Sequence, residues 1–327
     1  MSKHIDLIAI GSPVVDLVAR VDDNFVETLE GGKGGMELVG AIELEELVSS
    51  LDDEPEVAPG GSAGNTAYAA ARLGSKVSFI GKLGDCEAAT FYRQRFELIG
   101  ADITRFKIGD IPNARCLSLV TADSQRTMRT DLGAAMTLRP DEITVEDFQA
   151  ARHVHMEGYL AFNRDLMEKI LECAKAAGCT TSFDLASFEV VKATGDILKH
   201  WLTEHIDVVF ANEDEASAFF PELGDDYEEM AKAFAQLCGI AAVKLGKDGS
   251  LVAQGSDLHF IDPVVVTALD TTGAGDYWAG GFLDAWLKGK HLTECGKSGS
   301  VLGAEVVQVL GASLEEHRWE SLNSAML

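Results

Sequence analysis

The sequence predicts an α/β fold: a central, mainly parallel sheet flanked by helices, with a small second β-sheet set on it as a lid. Three observations predict it. Short apolar runs alternate with helix-period segments in the order β-α-β-α from about residue 152 to 245, without a Pro/Gly-rich linker, as expected of a parallel sheet covered on both faces. The chain's 327 residues, 46% of them hydrophobic, suit one large α/β domain or two modest ones and exclude general disorder. Two stretches, about 11–60 and 103–138, break the alternation with short strand-like pieces. Such pieces, leaving and re-entering an α/β domain, imply one attached sheet, so 1–327 reads as a single domain carrying a lid subdomain.

The strands of the central sheet are expected at 5–10, 77–80, 154–156, 180–183, 208–210 and 241–245, each a short run dominated by apolar or β-branched residues. Helices are expected at 64–73, 88–98, 165–177, 212–220 and 227–237. The first irregular stretch holds Val14-Val15-Asp16-Leu17-Val18-Ala19, the glycine cluster Gly31-Gly32-Lys33-Gly34-Gly35, and Met36-Glu37-Leu38-Val39. The second reads as strands at 105–108, 115–120 and 126–130, and another strand-like run lies at 264–269.

Charge narrows the function classes. With 27 basic against 53 acidic side chains, the formal charge is 27 − 53 = −26, the wrong sign for a nucleic-acid binder. No apolar run reaches the ~18–20 residues of a membrane span, and the start, Met1-Ser2-Lys3-His4-Ile5-Asp6, is unlike a signal peptide. The six cysteines (Cys86, Cys116, Cys173, Cys179, Cys238 and Cys295) form no C-x-x-C pair and read as small buried side chains in a reducing compartment, a disulfide or zinc frame being the alternative. A cytoplasmic location is expected.

Chemistry is concentrated in two glycine-rich segments. In Asp270-Thr271-Thr272-Gly273-Ala274-Gly275-Asp276, small residues let backbone approach a ligand, and the apolar helix that follows starts with unpaired N–H groups. That combination suits an anion such as a phosphoryl group in transit, with Asp276 beside it to take a hydroxyl proton; the plain alternative is a glycine turn capped by Asp276. In Pro59-Gly60-Gly61-Ser62-Ala63-Gly64-Asn65, two glycines can hinge a lid, and Asn65 in a first helical turn can face substrate hydroxyls. The alternative is a flexible turn with Ser62 or Asn65 as N-cap. His153 and His155 share a strand face and, with Glu157, present a possible metal set, although two core histidines explain them as well. Gly296-Lys297-Ser298 echoes a P-loop ending, but His291 breaks the motif, and no G-x-G-x-x-G occurs.

Together the two segments resemble the paired signatures of the ribokinase-like (PfkB) family of carbohydrate and nucleoside kinases, over nearly the whole chain from Ile5 to about Ala312. The resemblance implies that Asp276 is the general base and that the backbone of Gly273, Ala274 and Gly275 forms an anion hole, with Thr271, Gly273 and Gly275 also on the ATP side. It implies that Gly60 and Gly61 hinge the lid. Asn212-Glu213-Asp214-Glu215 resembles the family's Asn-x-x-Glu motif, so Asn212 and Glu215 would organise Mg²⁺ through water. Lys244-Leu245-Gly246-Lys247-Asp248-Gly249 is similar to its ATP-side glycine turn, placing Lys244, Gly246 and Gly249 near ATP, with an ordinary hairpin as the alternative.

The acceptor follows from finer likenesses. Gly11-Ser12-Pro13-Val14-Val15-Asp16 resembles the adenosine kinase form of the first motif, whose aspartate holds both ribose hydroxyls; Asp16 matches it, and Ser12 replaces a common Asn. Arg126-Thr127-Met128-Arg129-Thr130 resembles a lid strand over the purine, and Asp184-Leu185-Ala186-Ser187-Phe188 brings Phe188 to the nucleoside site. Tyr159 is placed at the base or, alternatively, at the core edge. The expected reaction is transfer from ATP to a nucleoside 5′-hydroxyl, most of all that of adenosine, with Mg²⁺; dependence on a monovalent cation such as K⁺ is left open. A sugar kinase for ribose or fructose is the alternative, and a non-catalytic nucleoside-binding protein the remote one. Monomer and homodimer are both open, and neither nucleic acid nor membrane is expected as a partner.

Overall fold

In a computed structural model of the protein, residues 3–30, 32–123 and 125–326 are described; of the glycine cluster, Gly31 lies outside them. Eight strands make the main sheet: β1 (Ile5–Ile10), β5 (Val77–Ile80), β10 (Ala151–Glu157), β11 (Thr180–Asp184), β12 (Val208–Asn212), β13 (Ile240–Lys244), β14 (Ser250–Gln254) and β15 (Asp257–Ile261). Their spatial order is β15-β14-β13-β12-β11-β10-β1-β5. The six from β5 to β13 run parallel, and β13-β14-β15 closes one edge as an antiparallel meander. The apolar runs at 5–10 and 77–80 form strands with the expected bounds, because both faces are covered by helices and every second residue has apolar neighbours.

A second sheet has the order β3-β9-β8-β2-β4, from β2 (Val15–Arg20), β3 (Met36–Leu38), β4 (Glu56–Pro59), β8 (Arg115–Val120) and β9 (Arg126–Asp131). One of its faces has a core of its own, Leu17, Ala19, Leu117 and Leu119 packed with Val26 and Leu44 of two short helices. Alternation along β2 therefore sends Asp16 and Val18 to the opposite face. The chain enters this sheet just after Gly11 and leaves it at Gly60, so both crossings flank the space between the sheets.

Three expectations need correction. The run at 264–269 is no strand: Pro263 precedes it, its valines face solvent (Val265 is 90% exposed), and it joins neither described sheet. The piece expected at 105–108 shrinks to β7 (Lys107–Ile108), which pairs with β6 (Lys82–Leu83) in a separate ribbon and not with the second sheet. An 18-residue helix, Phe188–His205, was not expected; its β-branched Val190, Val191 and Thr194 and internal Gly195 weaken the helical pattern, while Leu198, Trp201 and Leu202 anchor it in the core. Among the described residues, no helix is long and apolar enough to cross a membrane.

Candidate active site

The carboxyl ends of the parallel strands line up where ligands bind in open α/β sheets. Gly11 follows β1, Glu157 ends β10, Asp184 ends β11, Asn212 ends β12 and Lys244 ends β13. Glu157 is in register with Asp184, and Asn212 with Lys244, so neighbouring strands deliver these groups side by side. Lys244 Nζ pairs with Asp184 at 2.9 Å. Burial alone would lower the Lys244 pKa, but Asp184, Glu215 and Asp276 outweigh it and raise it.

Asp276 sits in the first turn of helix Ala274–Leu287, whose N-cap, Gly273, is left-handed with φ 70°. The capping alternative for Asp276 is therefore not what is seen. Its carboxylate receives one hydrogen bond on each oxygen: Ser62 Oγ donates to Oδ1 at 2.8 Å and Asn65 Nδ2 to Oδ2 at 2.9 Å. Burial raises its pKa above the usual aspartate value, with Asp184 adding to the rise and the two hydrogen bonds opposing it. Lys244 Nζ lies 3.0 Å from where a Cβ of Gly275 would stand, so the ammonium and the helix start face the same space.

Neither Ser62 nor Asn65 caps helix Ser62–Arg72; Gly61 does, with φ 82°, and both side chains are spent on Asp276. A side chain on Gly61 would collide with the Ser12 carbonyl, and one on Gly60 would overlap the Asp16 carboxylate. Both glycines thus have a steric reason here besides any hinge.

Across the gap, Asp16 projects from β2. Burial raises its pKa to about 7, against the pull of Arg126 and with help from Asp276 and Asp270. Arg126 Nε lies 3.4 Å from Asp270 Oδ1, and Asp270 also accepts from Thr272 N, Thr272 Oγ and Gly311 N. Arg126 therefore joins the second sheet to the loop that leads into Asp276.

Other expected residues are less gathered. Met128 receives a long contact from Arg126 at 3.8 Å, and Thr130 is buried with its hydroxyl donating to Cys116 Sγ. Tyr159 and Phe188 are partly exposed, and Lys192 lies over the Phe188 ring. Ser12 offers its backbone N–H to Glu157 at 2.8 Å. Asn212 and Glu215 cap helix Glu213–Phe219 reciprocally, each accepting the other's N–H at 2.8 Å, and burial raises Glu215 to about 7. Gly246 and Gly249 bound the turn of the β13–β14 hairpin, both at positive φ, while Thr271 is exposed.

His153 and His155 are buried core groups, bonded to Thr180 and Ser182 at 2.8 Å. Among the described residues, no three His, Cys, Asp or Glu side chains are placed to hold a metal directly. All six cysteines are free. Sequence reasoning missed Glu157 as part of this site, and Asp184 and Ser62 as its working side chains. The available signal was a charged residue closing an apolar strand, as in His153-Val154-His155-Met156-Glu157.

The family model described as pfkB family carbohydrate kinase matches residues 35–318. The crystal structure of adenosine kinase from Sinorhizobium meliloti is similar with a TM-score of 0.89 and 31% identity, covering 98% of this chain and 99% of that one. An ATP-dependent ribose-1-phosphate kinase from Halopiger xanaduensis is 32% identical over 70% of this chain and 73% of its own. A nucleoside kinase from Methanothermobacter thermautotrophicus is 25% identical over 94% and 91%.

Proposed function

The chain belongs to the pfkB family of carbohydrate kinases, and we propose that it transfers the γ-phosphoryl group of ATP to the 5′-hydroxyl of a nucleoside, adenosine foremost. The observation that carries this is Asp276: a partly buried carboxylate at a helix start, fixed by Ser62 and Asn65 and facing a second carboxylate, Asp16, from the small sheet. In the proposed reaction Asp276 accepts the 5′-hydroxyl proton as O5′ attacks the γ-phosphorus and the bond to the β–γ bridging oxygen breaks, releasing ADP. Backbone N–H groups of Gly273–Gly275 and the Lys244 ammonium face the charge on the transferring group. Asp16 accepts hydrogen bonds from the two ribose hydroxyls, an arrangement that a charged acceptor makes strong.

Asn212 and Glu215 fit Mg²⁺ in one respect: Asn212 Oδ1 and the Glu215 carboxylate can each accept a hydrogen bond from a metal-bound water beside the backbone N–H that each accepts in the helix cap, which suits an ion that keeps several waters. They would hold it through water, and it would supply neutralisation of phosphate charge. The small sheet is proposed to close over the acceptor and keep water from the phosphoryl group. Tyr159 and Phe188, partly exposed, are offered to the base. The 31% identity to an adenosine kinase supports this choice.

A sugar acceptor is the second reading, since Asp16 recognises a diol that a pentose also carries. The test is ADP release by purified protein with adenosine, 2′-deoxyadenosine, ribose, ribose 1-phosphate and fructose. Adenosine is expected to give the highest kcat/KM; a sugar outrunning it would replace the nucleoside reading.

A further inference from the structure

We infer that Glu157 is a positioning residue: one buried carboxylate that ties the acceptor-holding strand and the base-holding helix to a single point. The inference rests on the phosphotransfer reading above and adds a residue to it. Glu157 Oε1 accepts the Ser12 N–H at 2.8 Å, and Oε2 accepts the Ala63 N–H at 3.1 Å. Ser12 starts the crossing that ends at Asp16 in β2. Ala63 stands between Ser62, which donates to Asp276, and Asn65, which does the same. A single side chain at the end of β10 thereby fixes the origin of both arms of the site.

Three observations argue that this clamp is built in. Glu157 is 1% exposed, an environment that disfavours a carboxylate and pushes its pKa to about 7, with the two backbone N–H groups opposing the rise. Gly11 leaves the space the carboxylate occupies, and any Cβ there would overlap it. Gly158, next in the chain, packs so closely on the Leu185 and Asp184 carbonyls that a Cβ would overlap them, which holds the strand end in place. Glu157 is held by the backbone amides of Ser12 and Ala63 and by the Ser12 side chain, so it acts through Ser12 and Ala63.

The test combines hydrogen exchange with steady-state kinetics, using adenosine and ATP as probes. In Glu157→Gln, the amide keeps one acceptor oxygen and turns an NH₂ toward the other N–H donor. Exchange in segments holding Ser12 and Ala63 should quicken at least ~10-fold, KM for adenosine should rise at least ~10-fold with kcat falling, and KM for ATP should stay within about two-fold. Gly11→Ala displaces the same carboxylate without removing its charge and should move the same quantities in the same direction. Unchanged exchange, or equal increases in both KM values, would overturn the role. If neither variant folds, the wild type decides: fast exchange of the Ser12 and Ala63 amides is incompatible with the clamp, and core-like protection is required by it. A wild type that phosphorylates no adenosine would refute the nucleoside reading and leave exchange to judge Glu157.

Discussion

Replacing Asp16 with Asn separates what this carboxylate does for binding from what it costs the fold. Asp16 is partly buried, lies against Gly60, and faces Asp276 and Asp270, with Arg126 as the opposing charge. Burial first, and those acids next, lift its pKa to about 7. Moving an aspartate from about 4 to about 7 corresponds to ~4 kcal/mol between protonation states. Because Asp16 retains some contact with water, we take roughly half, ~2 kcal/mol. The sign follows from proton counting. Between about pH 4 and 7 the folded protein keeps a proton that the unfolded chain has released, so stability falls as pH rises through that window and stays low above it. Asp16→Asn removes this dependence. The variant should match the wild type near pH 4 and unfold roughly 2–4 °C higher at pH 8. Its adenosine affinity should nevertheless drop at least ~10-fold, since hydrogen bonds to a charged group contribute ~1.5–3 kcal/mol each. Thermal unfolding at the two pH values and calorimetric titration with adenosine read both effects. A variant that is less stable at pH 8, or that binds adenosine like the wild type, would refute the reasoning.

Two further substitutions probe the same geometry. Asp276→Asn should lower kcat roughly 10²–10⁴-fold with adenosine affinity kept within a few-fold, as for a lost general base; near-normal turnover in the purified variant removes that assignment. Gly60→Ala places a Cβ in the space of the Asp16 carboxylate and should raise KM for adenosine by about 10-fold or more while leaving ATP binding alone, checked by the KM pair. The paired Gly60/Gly61 replacement is a poor test of hinging, because Gly61 at φ 82° is strained by any side chain.

The sequence was informative where local pattern and tertiary environment agree. Ile5–Ile10 and Val77–Ile80 are buried on both faces, and their apolar runs mark them without help from distant residues. The run at 264–269 shows the limit: β-branched composition does not by itself make a strand, and this run stays exposed and unpaired although β15 beside it in the chain is an edge strand. Helix Phe188–His205 is the converse, a weak local helix former held by Leu198, Trp201 and Leu202 in the core.

At the site, Asp276 and the glycines around it were legible because turn chemistry is local. The ion pair of Lys244 with Asp184 joins residues 60 apart in sequence, and Ser62 reaches Asp276 across 214, so these partners exist only in the fold. Asn65 illustrates the difference in kind: its residue type suited a substrate ligand, whereas the structure first gives it to the carboxylate of Asp276. Asn212 and Glu215 likewise serve first as a helix cap, and that cap is what points Glu215 into the field of Lys244 and Asp184.

The most direct test of phosphoryl transfer to a nucleoside is the identity of the product formed from adenosine and ATP. Phosphorus NMR of the reaction should show one new monoester coupled to the 5′ protons, AMP, appearing in step with ADP, and no turnover of 5′-deoxyadenosine. ATP consumed at the same rate without adenosine, or a phosphate carried only by ribose, ribose 1-phosphate or fructose, would contradict it.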